Sequence, residues 1–406
     1  MVNFSKIRQI DIWLILPVTF LVGIGLLGLH SATLASIEGE PFFTKQVIWI
    51  ILSIVVFLVA FLIDIQFVFK LSWLAYLVSI LLLIAVKLFG VTGYGATRWI
   101  AIGPLHLQPS ELAKISVLLV LSQFFYPHKK DPNKLTNFIK ALILIAIPMG
   151  LTFFQPDLGT SLVFGVLFLP LLHWAGLNWI VLFCIVSPFF VALSSFHYLT
   201  FLIAMVVITG VLYLLKQKNI LILSLFLLNI FVGLMTPLLW NSLKPYQQAR
   251  IKVFISPEKD PRGAGYQIIQ SKVAIGSGGV TGKGWHKGTQ VRLGFLPEQH
   301  TDFIIAVLGE EFGFIGMCLI IIAFFLLFNR LLYYGSKIRE RRYALFIIGV
   351  LIIWAFHVFV NIGMTIGLMP VTGLPLPFLS YGGTAMLINF LMLGLANNIW
   401  VSRYYK

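Results

Sequence analysis

Apolar residues run in long blocks along this chain, and polar residues gather in the gaps between them. Blocks long enough to cross about 30 Å of hydrocarbon fall near 12–31, 46–63, 71–90, 110–126, 138–154, 158–175, 178–196, 198–215, 219–242, 303–328, 344–366 and 381–400. The pattern predicts an all-α, polytopic transmembrane protein of about twelve spans, because only helices satisfy every backbone polar group in lipid with so little polar sequence. One gap breaks the rhythm, a polar loop from Leu243 to Asp302. There is no fixed-period repeat, low-complexity tract or separate soluble stretch, so residues 1–406 read as a single membrane domain that contains residues 243–302 as its one large loop.

Composition agrees with that pattern. Hydrophobic residues make up 59% of the 406 positions and charged residues 11%, with a mean hydropathy of +0.97. A net charge of +15 would suggest nucleic acid in a soluble protein, but here the basic residues stand in short clusters between spans, which excludes that class. Lys6 and Arg8, then Lys129, Lys130 and Lys134, then Lys216 and Lys218, then Arg330, Lys337, Arg339, Arg341 and Arg342, then Arg403 and Lys406, fall on one side of twelve spans. Short basic loops are retained in the cytoplasm, so both termini are expected there and the long loop outside. The first block follows Lys6 and Arg8 as a signal sequence would, but its length makes it the first span. Cys184 and Cys318 lie within apolar blocks and imply neither a disulfide framework nor a cysteine metal site.

The long loop carries nine Lys or Arg residues against four acids, on the side where positive charge is usually scarce. Long loops escape the charge rule, which is the plain explanation; the sharper one is an anionic ligand handled at the outer surface. Within it, GSGGVTGKG (Gly276 to Gly284) has the glycines of an anion cradle, although taken alone a flexible turn is its more ordinary reading. It is not a nucleotide P-loop, since Gly284 follows Lys283 where Ser or Thr is required. The preceding YQIIQSKVAIG (Tyr266 to Gly276) predicts a short amphipathic helix along the membrane, placing Lys272 and Lys283 at headgroup level.

Acids crowd the next span: Glu298, Asp302, Glu310 and Glu311, with His300 among them. Charges at membrane depth are costly and usually functional. On a continuous helix Asp302 and Glu310 would share a face, Glu310 two turns deeper. Glu111 and Lys114, three apart in QPSELAK, are placed to pair with each other. Arg98 beside Trp99 reads as an interfacial anchor or as a diphosphate clamp. Asp157 in QPDLGT and Ser380 in PLPFLSYGGT lie in outer turns that Pro and Gly suffice to explain, while His357 and Asn361 have the spacing of helix-bridging polar residues. No His, Asp and Glu spacing marks a metal site.

RWIAIGPLHLQPSELAKIS, QPDLGTSLV, DPRGAGYQIIQSKVAIGSGGVTGKGWHKGTQ, FLPEQHTDFIIAVLGEEFGFIG and VNIGMTIGLMPVTGLPLPFLSYGG, in this order, resemble the shape, elongation, division and sporulation (SEDS) family. The long loop is nearer the rod-shape members than the division members. The likeness covers most of the chain outside Asn178 to Ser242. It implies a peptidoglycan glycosyltransferase of the bacterial cytoplasmic membrane that polymerises lipid II, an undecaprenyl diphosphate-linked disaccharide, during elongation and shape maintenance. It also implies a class B penicillin-binding protein as partner. Asp302 matches the family's essential outer-loop acid and is the expected catalytic residue. The expected supporting set is Arg98, Glu111, Lys114, Lys272, Lys283, Glu298, His300, Glu310, Glu311 and Ser380. Of these, Arg98, Lys114, Lys272 and Lys283 form the pool of cations for the departing diphosphate. No organic cofactor is evident, and a divalent cation would serve the same step. The family pattern has ten spans, so the apolar sequence between 178 and 242 holds two more.

Two rival functions follow from the same residues. A transporter of lipid-linked precursor would also carry intramembrane acids, but it should show repeats and charges in both halves, whereas here the charges gather at one rim. A noncatalytic scaffold for wall enzymes would be indifferent to loss of the Asp302 carboxylate.

Overall fold

The computed structural model describes residues 8–34, 42–93, 96–102, 105–126, 130–242, 265–296 and 298–403. Lys6, Glu38, Lys129, Lys406 and the loop's charges from Lys244 to Arg262 lie outside the described residues. Each of the twelve apolar blocks lies on a helix: α1 (Ile12–Leu34), α2 (Phe42–Leu62), α4 (Ser72–Phe89), α5 (Pro109–Phe124), α6 (Leu135–Phe154), α7 (Leu158–Trp174), α8 (Trp179–Ser194), α9 (Tyr198–Leu214), α10 (Asn219–Ser242), α13 (Ile304–Lys337), α14 (Arg341–Thr365) and α15 (Gly383–Ser402). Eight of these are long and apolar enough to cross a membrane; α7, α8 and α9 are shorter apolar helices, and α5 has 16 residues. Short helices complete the set: α3 (Ile65–Lys70), α11 (Tyr266–Ser277) and α12 (Thr289–Arg292).

The helices fall into two compact units, Met1–Ala175 with Pro257–Lys406, and Gly176–Ser256. In the smaller unit α8, α9 and α10 pack around Val191, Met205, Ile208, Leu212 and Leu225, with one buried polar contact from Asn229 Nδ2 to Ser187 Oγ. In the larger unit α5 is enclosed: 14 of its 16 residues are buried, against 5 of 21 in α2. An apolar helix gains nothing by facing protein rather than lipid, so enclosure depends on close packing and polar contacts. Gly394 of α15 lets that helix rest on the α2 backbone, where an added Cβ would stand 2.6 Å from Phe57 O. Asn398 then donates to the otherwise unmatched carbonyls of Ala60 and Ile63 at 3.0 and 2.7 Å. Across the far end, Asp11 accepts from Arg330 Nε at 2.7 Å and from Tyr334 Oη at 2.6 Å, joining the start of α1 to the end of α13.

Two features depart from the sequence pattern. Between α4 and α5 the chain forms a small antiparallel sheet in the order β1 (Val91–Gly93), β2 (Ala96–Ile102), β3 (Leu105–Leu107), which the pattern of apolar blocks did not indicate and which carries Arg98 on its central strand. In addition, α13 is broken at Gly313, whose φ of 63° and ψ of −161° no helix accommodates. The break leaves carbonyls and amides unmatched, and the glycine segment supplies them. Lys283 N and Gly284 N donate to Glu310 O and Glu311 O, both at 3.0 Å, while Phe314 N and Ile315 N donate to Gly279 O and Val280 O at 2.9 and 3.1 Å. Gly282 (φ 82°) and Gly313 meet backbone to backbone, with no room for a Cβ on either. The glycines of GSGGVTGKG therefore bind a helix break, and the anion-cradle expectation is corrected.

Candidate active site at the start of α13

Asp302 lies outside α13, one residue before its N-cap Phe303, so the same-face relation to Glu310 expected of a continuous helix does not arise. Its backbone is fixed by Asn361 of α14, whose Nδ2 donates to Asp302 O at 3.0 Å and to Leu374 O at 2.8 Å. The side chain is partly buried beside Gly373, where a Cβ would stand 3.6 Å from Asp302 Oδ2. Among the described residues no donor hydrogen-bonds the carboxylate. Burial raises its pKa to about 7; the charge of Glu298 pushes the same way and Arg98 opposes it.

Arg98 is aimed by its neighbours. It donates to Pro156 O, and its Nη1 lies 3.8 Å from Asp157 Oδ1. Asp157 is itself buried and held by Thr160 N at 3.2 Å, Thr160 Oγ1 at 2.9 Å and Gln108 Nε2 at 3.3 Å, so it caps α7 while orienting the arginine. Arg98 Nε is buried without a protein partner among the described residues and remains available as a donor. Glu298, at φ 51°, lies 3.7 Å from His300 Nε2. His300 stacks on Phe42 with 4.3 Å between ring centroids, and its carbonyl accepts from Tyr381 N at 3.1 Å. Ser380 is structural: its Oγ accepts from Leu376 N at 3.0 Å, and its carbonyl accepts from Gln46 Nε2 at 3.4 Å.

Beneath this rim lies a buried polar chain. Lys114 Nζ is 2.8 Å from Glu111 Oε1 and 3.1 Å from His357 Nε2. His357 Nδ1 stands 3.0 Å from Pro375 O, so a neutral ring that donates there and accepts from Lys114 satisfies both nitrogens. The expected pairing of Glu111 with Lys114 is present. Lys114 therefore supports the Pro375 turn from below and is not a free cation.

Glu310 and Glu311 are buried, with different partners. Glu310 accepts from Thr289 N at 2.7 Å, Gln290 N at 3.0 Å, Val291 N at 3.3 Å, Thr289 Oγ1 at 2.9 Å and Lys283 Nζ at 2.6 Å. Glu311 accepts from Ser31 Oγ. Lys283 is consequently spent on an internal carboxylate, which removes it from the pool of diphosphate cations. Lys272 stays exposed on α11, its Nζ against Gly367. That helix buries Ile268, Ser271 and Ala274 against protein, and Ser271 Oγ bonds Thr365 O at 2.8 Å, so it is a docked element rather than a free surface helix. Asn361 and Asp157 matter more to the site than their sequence context suggested; the buried amide one turn from His357 and the acid at a helix N-cap were the available signals.

Known proteins share this architecture. The model of the cell cycle protein family of FtsW, RodA and SpoVE matches residues 12–205 and 195–405. The peptidoglycan glycosyltransferase MrdB of Escherichia coli K12 is 38% identical over 331 residues, 81% of this chain and 77% of that protein. The peptidoglycan glycosyltransferase RodA of Treponema pallidum is 34% identical over 427 residues, 97% and 98% of the two chains. A chain in the structure of a peptidoglycan synthase complex that coordinates polymerization and crosslinking superposes with a TM-score of 0.76 at 27% identity, covering 98% of this chain and 99% of that one. With these matches extending over nearly its whole length, the chain belongs to the FtsW, RodA and SpoVE family of cell cycle proteins, the SEDS family.

Proposed function

We propose that this peptidoglycan glycosyltransferase polymerises lipid II with Asp302 as its general base, at the outer face of the cytoplasmic membrane and with both termini inside. The observation that carries the catalytic assignment is a partly buried carboxylate, free of hydrogen-bond donors among the described residues and fixed through its backbone, whose pKa burial raises to about 7 against the opposing charge of Arg98. A base poised near the working pH is half ionised and still able to take a proton. The acceptor sugar's 4-hydroxyl gives its proton to Asp302 as its oxygen attacks the anomeric carbon of the donor. The bond from that carbon to the diphosphate breaks, and an α-linked donor becomes a β-1,4 linkage. Arg98 and Lys272 are the cations left to stabilise undecaprenyl diphosphate, since Lys114 and Lys283 are paired internally. The synthase complex that matches in structure supports a crosslinking penicillin-binding protein of class B as partner.

The test is polymerisation of purified lipid II with the cognate partner present. Asp302→Asn should express and fold like the parent protein and form no polymer. Retained polymer would remove Asp302 from the role. In vesicles loaded on one leaflet, polymer without transbilayer movement would separate this function from precursor transport.

A further inference from the structure

Residues 176–242 contain two basic side chains, Lys216 and Lys218, and no Asp or Glu. Both lysines are exposed at the turn that joins α9 to α10. Two shallow, open depressions of about 320 and 530 Å³ lie along the same helix pair and share Thr209, Tyr213, Ile222 and Phe226. They form one apolar groove that runs from Leu202 to Tyr213 along α9 and opens toward the lysine turn. Gly210 lines its floor, and a Cβ there would meet nothing within 4 Å.

We propose that this groove holds one acyl chain of an anionic phospholipid whose phosphate rests on Lys216 and Lys218. Length decides between a lipid chain and a partner's membrane helix. On α10 the lining runs only from Asn219 to Phe226 of a 24-residue helix, a rise of roughly 11 Å against a hydrocarbon core near 30 Å, so along that helix the groove stops within one leaflet. A spanning helix would need contact along the whole of α9 and α10. Charge decides between lipid classes: two lysines in a segment without acids favour a net negative headgroup over a zwitterionic one. Tyr213 and Asn219 stand at the mouth of the groove, where an amphipathic ring and an amide suit the headgroup boundary.

Native mass spectrometry of the full-length protein, released from micelles with phosphatidylglycerol or phosphatidylethanolamine added, tests the assignment. The parent protein should retain phosphatidylglycerol preferentially. Lys216→Gln with Lys218→Gln should weaken that retention by roughly thirtyfold, the effect of two surface lysines on an anionic lipid. Gly210→Phe, which fills the groove from a position with open space, should weaken both lipids alike. Unchanged phosphatidylglycerol retention in either variant overturns the proposal. So does protection of a Val206→Cys thiol from a membrane-permeant maleimide only when the penicillin-binding partner is added, which would assign the groove to a protein helix.

Discussion

Glu310 lies near the end of the first half of α13 and Asp302 just ahead of its start, and their surroundings are opposites. Glu310 is wholly buried, with six donors converging on its two oxygens, three of them amides at the start of α12. Asp302 is partly exposed, its carboxylate without a donor among the described residues although its backbone is clamped by Asn361. A carboxylate held by so many donors is a structural anion, because moving it or protonating it breaks several charge-assisted bonds at once. One that is positioned but unengaged is kept for an incoming group. Acidity alone does not mark a catalytic residue; what marks it is fixed backbone geometry combined with an unfilled coordination shell.

The contrast can be broken most sharply at Asp302 itself. Asp302→Asn should lower polymerisation by about a thousandfold, within the range for loss of a general base, while thermal unfolding in detergent stays that of the parent. A large fall in melting temperature would place Asp302 among the structural acids. Glu310→Ala should show the reverse pattern. It strands Lys283 and the amides of residues 289–291, a cost of about 3 kcal/mol for a broken buried pair, seen as a marked loss of thermal stability. If Glu310→Ala left stability intact yet abolished activity, Glu310 would belong with the reacting groups.

Asn361→Leu removes the clamp without touching the carboxylate, and should reduce kcat by roughly tenfold through misplacement of the base, with KM little changed. Glu298→Gln should have the mildest effect and is read on the pH axis. Asp302 must be ionised to act, so activity rises as pH passes the group's value near 7. Glu298 raises that value and Arg98 lowers it. Glu298→Gln should therefore shift the acid limb to lower pH, and Arg98→Gln to higher pH, with opposite signs in the same assay. Equal profiles would show that another group sets the limb.

The helices and the Glu111 with Lys114 pair were legible in the sequence because both depend on local rules, the length of apolar runs and the three-residue helical spacing. The role of the glycine segment was not legible because its partner is distant along the chain: nothing in GSGGVTGKG states that its amides meet the carbonyls of Glu310 and Glu311. Lys283 suffered likewise, since a lysine beside glycines resembles a phosphate ligand until Glu310 is seen against it. The small sheet from Val91 to Leu107 fell in a short stretch where an apolar pattern does not separate strand from frayed helix. The contact between Arg98 and Asp157 was not legible either, because the Pro and Gly of the turn suffice to explain Asp157 until the arginine is seen against it.

The break at Gly313 also sets an order of assembly during biosynthesis. Its capping segment, residues 279–284, precedes the break by about thirty positions, so every group in that backbone knot has left the ribosome once residue 315 emerges. The Asn361 clamp on Asp302 has to wait for α14 and the turn at Leu374. The frame around Glu310 is thus available to form first, and the Asp302 backbone is locked into place only as the final spans arrive.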